Sequence, residues 1–156
     1  MANNIKELED AIEKCAIAVK KQKKEDSVMN ELGEMIKAFR ESDISGMTAD
    51  DLSCHALKLG TLLAYLGSKA SLWEMKTNTS YVHRKFKTSV KFLELPKDMT
   101  ATERTHLSEN STKDLYEAET YCNYMHSTLK YLHSDVKNIA SLMQSRIKVL
   151  LKEDYQ

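Results

Sequence analysis

A chain of 156 residues with 23 basic and 23 acidic side chains carries no net charge, which excludes a global field drawing it onto nucleic acid or membrane and leaves any electrostatic partner to a local patch. One Pro and four Gly against 29% charged residues allow few turns and predict an all-α chain of long helices in a single domain spanning residues 1–156. Cys15, Cys54 and Cys122 are odd in number and lack CxxC or paired-His spacing, so neither a disulfide framework nor a zinc site is expected.

Ile5, Leu8, Ile12, Cys15 and Val19 repeat at steps of three and four, the mark of an amphipathic helix. The row meets Gln22 and Asp26 beside the cluster Lys20-Lys21-Gln22-Lys23-Lys24, then resumes at Met29, Leu32, Ile36 and Phe39. A kink or short break is expected there, which makes residues 5–40 one helix or a kinked pair. Glu41 to Thr48 reads as a loop. Thr48 then stands as an N-cap, with Asp50 and Asp51 in the first turn where the helix dipole favours acids.

The helix that begins there is expected to run over about 49–95. Leu52, Leu59, Leu66 and Trp73 stand seven apart, with Ala56, Leu63, Ala70 and Thr77 as the companion row. Gly60, Ala64, Gly67, Ser68 and Ala70 are dense on it, and close approach of another helix would account for them, since each glycine costs a helix about 1 kcal/mol relative to Ala. Beyond Trp73 the apolar row reappears out of phase as Val82, Phe86, Val90 and Leu93. Pro96 ends the helix.

Thr100-Ala101-Thr102-Glu103 fits a capping box and opens a last helix over about 101–152. Its apolar residues Leu115, Ala118, Cys122, Met125, Leu129, Leu132, Val136, Ile139 and Met143 alternate steps of three and four, as in the seam of a left-handed coiled coil. Arg146 interrupts the seam before Leu150. The two long helices therefore predict an antiparallel hairpin over 48–153, roughly 65 to 75 Å long at 1.5 Å per residue. One short additional helix cannot cover so long a hairpin, so a homo-oligomer is expected. Leu52, Leu59, Leu66, Trp73, Leu129, Leu132 and Ile139 are its expected contacts, and Arg146 is either a register-setting charge or a side chain that snorkels at a frayed end.

Chemistry is concentrated in Tyr81-Val82-His83-Arg84-Lys85-Phe86-Lys87-Thr88-Ser89-Val90-Lys91-Phe92, which has four full positive charges and no acid before Glu94. Basic side chains that follow phosphates, with aromatics for base stacking, are what single-strand binders combine. Arg84, Lys85, Lys87 and Lys91 are the candidate phosphate contacts, Tyr81 the candidate stacking residue, and His83 lies among them. The competing account has these cations complement the helix C-terminus and places Phe86, Val90 and Leu93 in the core. The five histidines include no i,i+4 pair or HExxH spacing, so no metal is expected. No phosphate loop, nucleophile elbow or carboxylate pair is present, so neither an enzyme nor a cofactor is expected. No apolar run approaches the ~20 residues of a membrane span, and the polar Met1–Ile5 start is unlike a secretory leader, so a cytoplasmic protein with no membrane partner is expected.

The order Leu52, Leu59, Ala64, Leu66, Glu74, Tyr81, Arg84-Lys85, a Pro-containing break, Thr100-x-x-Glu103-Arg104 and a long helix closing with Leu142-x-x-Ser145-Arg146-Ile147-x-Val149-Leu150 resembles the UvsY-like recombination mediators of tailed phages. The resemblance covers about residues 48–153, and residues 5–39 have no counterpart in it. It implies a helical hairpin that assembles into a ring-like oligomer, binds single-stranded DNA and helps load a RecA-type recombinase while displacing a single-strand-binding protein, in the host cytoplasm. The family's basic pair is matched by the Arg84-Lys85-Phe86-Lys87 stretch. The alternative function is a coiled-coil protein–protein interaction module, a phage scaffold or adaptor or a host-factor-binding protein, without nucleic-acid binding.

Overall fold

The computed structural model describes residues 2–22 and 27–153, and no strand occurs among them. In chain order the elements are α1 (Ala2–Gln22), α2 (Ser27–Glu41), a 3-10 turn (Ile44–Gly46), α3 (Ala49–Glu94), α4 (Ala101–Asn110) and α5 (Lys113–Glu153). The expected interruption at Lys23–Asp26 lies outside the described residues, as do the side chains of Ile5 and Leu8 and of the Lys20–Lys24 cluster. The long helices α3 and α5 pack against each other as a hairpin. The chain divides into two compact units: unit 1 holds residues 1–68 and 128–156, and unit 2 holds 69–127.

Local chemistry sets the helix ends. At the start of α3 the Asp51 amide donates to Thr48 Oγ1 at 3.2 Å and the Thr48 amide donates to Asp51 Oδ2 at 3.2 Å. Two orphan donors are thereby satisfied reciprocally. The same box recurs at α4, where Glu103 N donates to Thr100 Oγ1 at 3.3 Å and Thr100 N to Glu103 Oε2 at 2.9 Å. Pro96 follows the end of α3, and its carbonyl accepts from the Met99 amide at 3.4 Å in the turn that leads to α4.

The last helix is not continuous from 101 to 152, because a turn at Ser111-Thr112 separates α4 from α5. Short hydroxyl side chains compete with the backbone for its own hydrogen bonds. Ser111 Oγ donates to the Ser108 carbonyl at 2.8 Å, and Thr112 Oγ1 reaches the Ser108 and Glu109 carbonyls at 3.2 Å each. No glycine or proline is needed to make this break.

Unit 1 holds one apolar core fed by four helices. Ile12, Cys15 and Val19 come from α1, Met29, Leu32, Ile36 and Phe39 from α2, Leu52, Leu59, Leu62 and Leu66 from α3, and Leu129, Leu132, Val136, Ile139 and Met143 from α5, all buried. α1 packs on α2, and the Phe39 ring meets His55 of α3 edge-on at 4.5 Å. A Cβ placed on Gly67 would lie 3.6 Å from His133 Nε2 of α5, an ordinary van der Waals contact, and one on Gly60 would meet open space, so close helix approach explains neither glycine.

This core takes up most of the residues expected at an oligomer contact. Leu52, Leu59, Leu66, Leu129, Leu132 and Ile139 are all buried in a single chain. The physical reason is that α1 and α2 bring two further apolar faces to the hairpin, so the seams within unit 1 need no second copy. Burial raises the Cys15 thiol to about 12, with the Asp135 carboxylate of α5 adding to the effect. Arg146 is half-buried, and its Nε has no hydrogen-bond partner.

Unit 2 is built differently. No apolar side chain of the segment 69–127 is fully buried, and its buried residues are Ser108 and Thr112. The Thr88 and Thr112 hydroxyls meet at 2.9 Å, tying α3 to the α4–α5 break. Leu115, Cys122 and Met125, the first part of the α5 seam, are only half-buried, and Ala118 is exposed.

Candidate nucleic-acid interface

All six candidate residues of the basic stretch lie on the part of α3 that belongs to unit 2. At roughly 100° per residue, Trp73, Ser80, Arg84 and Thr88 share one face of the helix. That face meets α5 and the α4–α5 break. Trp73 stacks edge-on with Tyr121 at 5.8 Å, Ser80 Oγ lies 3.8 Å from Cys122 Sγ, and Arg84 pairs with Glu119.

Arg84 is therefore engaged rather than presented. Its Nε donates to Glu119 Oε2 at 2.6 Å and its Nη2 to Oε1 at 3.5 Å, with 17% of the Arg84 side chain and 18% of the Glu119 side chain exposed. The hydrogen bond to Glu119 raises the guanidinium pKa further above its ordinary value. Tyr81 and Tyr116 flank it, with ring centroids 5.7 and 5.4 Å from the guanidinium carbon. An arginine held this way orders the surface around it, and a phosphate would have to displace a carboxylate to reach it.

The other cations differ in availability. Lys91 Nζ donates to Glu94 at 2.7 Å, but both side chains are about half-exposed, and such a surface pair is worth only about 0–1 kcal/mol. A phosphate can replace Glu94 at little cost. Lys85 is exposed with its ammonium 5.8 Å from the Tyr81 ring, and His83 and Lys87 are exposed.

The aromatics are more open than their helical spacing suggested. Phe86 is 63% exposed and Leu93 75%, so neither belongs to a core; Val90 is half-buried. The reason is that unit 2 places no further helix over that side of α3. Tyr81, Tyr116, Tyr121 and Tyr124 are each about half-exposed as well. Phe92, by contrast, is covered by Arg104, whose guanidinium lies 4.2 Å from the ring and donates to the Phe92 carbonyl at 2.6 Å. That contact fastens α4 to the end of α3.

The structure adds two residues that the spacing pattern could not supply. Lys113 and Tyr116, at the start of α5, line a cleft with Arg84, Glu109, Asn110 and Thr112. Nothing in a linear pattern joins Arg84 to residues some thirty positions later. The signal that could have found them is the run of small hydroxyl residues that turns the chain at Ser111-Thr112.

Among the described residues no three His, Cys, Asp or Glu side chains gather as metal ligands, and no helix is long and apolar enough to cross a membrane. Compared with protein families, curated proteins and solved structures, the chain matches none of them.

Proposed function

We propose that this chain is a non-enzymatic, self-associating, single-stranded DNA-binding accessory protein of phage recombination or replication. What carries the reading is the exposed, acid-free stretch of α3 in which Lys85 and Lys87 alternate with the open rings of Tyr81 and Phe86. Lys85, Lys87 and Lys91 contact phosphates, while Tyr81 and Phe86 offer faces on which bases stack. Arg84 acts as a positioning residue that holds Tyr81 beside Tyr116 through its pair with Glu119. The UvsY-like resemblance supplies the partners of this reading, a RecA-type recombinase and a single-strand-binding protein, and the phage-infected cytoplasm as its setting. Self-association multiplies a modest patch and raises avidity without a strong individual site. With the unit 1 seams closed inside one chain, it draws on apolar side chains that unit 2 leaves open, Leu107 and Tyr121 among them.

Fluorescence polarisation with a labelled oligonucleotide tests the reading. Three phosphate contacts give a slope of about −2 for log affinity against log salt. Lys85→Glu with Lys87→Glu should remove binding with the fold intact. Affinity that ignores both salt and these charges would refute the proposal, and sedimentation at a monomer mass would refute the self-association.

A second reading, a coiled-coil adaptor for another protein, is favoured by the exposed apolar side chains of α3.

A further inference from the structure

One row of α3 is used neither by the hairpin nor by the phosphate-facing lysines, and Phe86 is its one member shared with the proposed stacking surface. Leu72, Met75, Thr79, Val82, Phe86, Ser89 and Leu93 stand at alternating steps of three and four, the a/d spacing of a continuous seam. Its apolar members are 40% (Leu72), 59% (Met75), 64% (Val82), 63% (Phe86) and 75% (Leu93) exposed. At roughly 100° per residue this row lies opposite the face that carries Trp73, Ser80, Arg84 and Thr88. Because that face already holds α5 and the α4–α5 break, neither covers the row.

The flanks say what kind of helix fits. Lys85 lies on one side of the row and Lys76, His83 and Lys87 on the other, and the carboxylates of this part of α3, Glu74 and Glu94, stand only at the two ends of the row. A second copy of the chain would bring the same predominantly basic flanks, with only Glu74 and Glu94 at the ends of the row to answer its lysines. A helix with acidic residues beside its own apolar a/d positions answers both the stripe and the charge. Thr79, small between Met75 and Val82, leaves a recess lined by Asn78, Val82, His83 and Phe86 that can take one bulky side chain as a knob.

We propose that the Leu72–Leu93 face of α3 docks an amphipathic helix with acidic flanks, supplied by another protein. This rests on the adaptor reading and names the chemistry of its partner.

Two synthetic 24-residue peptides test it, both with Leu at a and d, one with Glu and the other with Lys at e and g, titrated by fluorescence anisotropy into the full-length protein. The Glu peptide should bind at least tenfold more tightly than the Lys peptide, and its advantage should shrink with salt. Val82→Asp with Phe86→Asp should abolish binding while circular dichroism stays unchanged, and Lys76→Glu with Lys85→Glu should reverse the preference. Equal binding of the two peptides, sensitive to Val82→Asp with Phe86→Asp, would keep the adaptor reading and overturn the acidic partner. Absence of binding by either would overturn both. A sedimenting oligomer that the same Asp pair dissociates, with no peptide bound, would show the seam to be a self-contact and also overturn the proposal.

Discussion

Removing one member of the Arg84–Glu119 pair should destabilise unit 2 by more than a surface ion pair can explain. Exposed pairs contribute about 0–1 kcal/mol, and breaking a fully buried one costs about 3–5 kcal/mol. With less than a fifth of either side chain exposed and a 2.6 Å hydrogen bond between them, Arg84→Ala should cost about 2 kcal/mol. For a chain of this length that corresponds to about 4–8 °C in Tm. Trp73 is the single tryptophan of the chain and packs on Tyr121 within unit 2, so its fluorescence reports the unit directly. Measuring Arg84→Ala, Glu119→Ala and the double variant closes a thermodynamic cycle, with an expected coupling of about 1–2 kcal/mol. Additivity within about 0.3 kcal/mol would refute the view that Arg84 is a structural partner of Glu119 and return it to the phosphate contacts.

The thiols should separate by reactivity: Cys54, exposed on α3, reacts with a disulfide reagent in the native protein, whereas Cys15, buried and raised to about 12, reacts only on unfolding. The raised Cys15 pKa also has a sign. Its contribution to stability is fully present below the ordinary thiol range and is lost as pH rises from about 9 toward about 12, a loss that a Cys15→Ala variant should show less steeply in alkaline melts. At the acid end, Asp43, Asp51 and Glu103 are held low chiefly by side-chain hydrogen bonds from Ser45, Thr48 and Thr100. Their contribution is present above the ordinary carboxylate range and disappears as pH falls below about 4, so Asp51→Asn with Glu103→Gln should flatten the acid limb of a pH–stability curve. Leu132→Ala, at a fully buried position of the unit 1 core, should cost about 2–5 kcal/mol, and a loss under about 1 kcal/mol in chemical denaturation would contradict the packing described.

Much of the architecture was legible because it depends on residues close in sequence. The bounds of α3 follow from the Thr48 box and Pro96, and the start of α4 from Thr100 and Glu103. The α5 seam follows from its spacing alone. What spacing cannot reveal is what covers a stripe. The rows through Leu59 and Leu132 are as regular as the row through Val82 and Phe86, yet the former are buried by α1 and α2 and the latter is open. Arg84 reads as a cation among cations until Glu119, thirty-five residues later, is placed against it. The Ser111-Thr112 break was missed because hydroxyl side chains are compatible with a helix and stop one only when their bonds to nearby carbonyls prevail.

The buried hydroxyls at the α4–α5 break have a consequence for heat capacity and local opening. Apolar surface dominates the positive heat-capacity change of unfolding, and the fully buried apolar side chains belong to unit 1, while unit 2 buries Ser108 and Thr112. Unit 2 should therefore open with a small heat-capacity change and at a lower free energy than the core around Leu132. In native-state hydrogen exchange the amides of α4 should lose protection in an early sub-global opening, ahead of those flanking Leu132 and Val136. The segment that presents the charged and aromatic surface is thus also the one best able to reshape itself around whatever it meets.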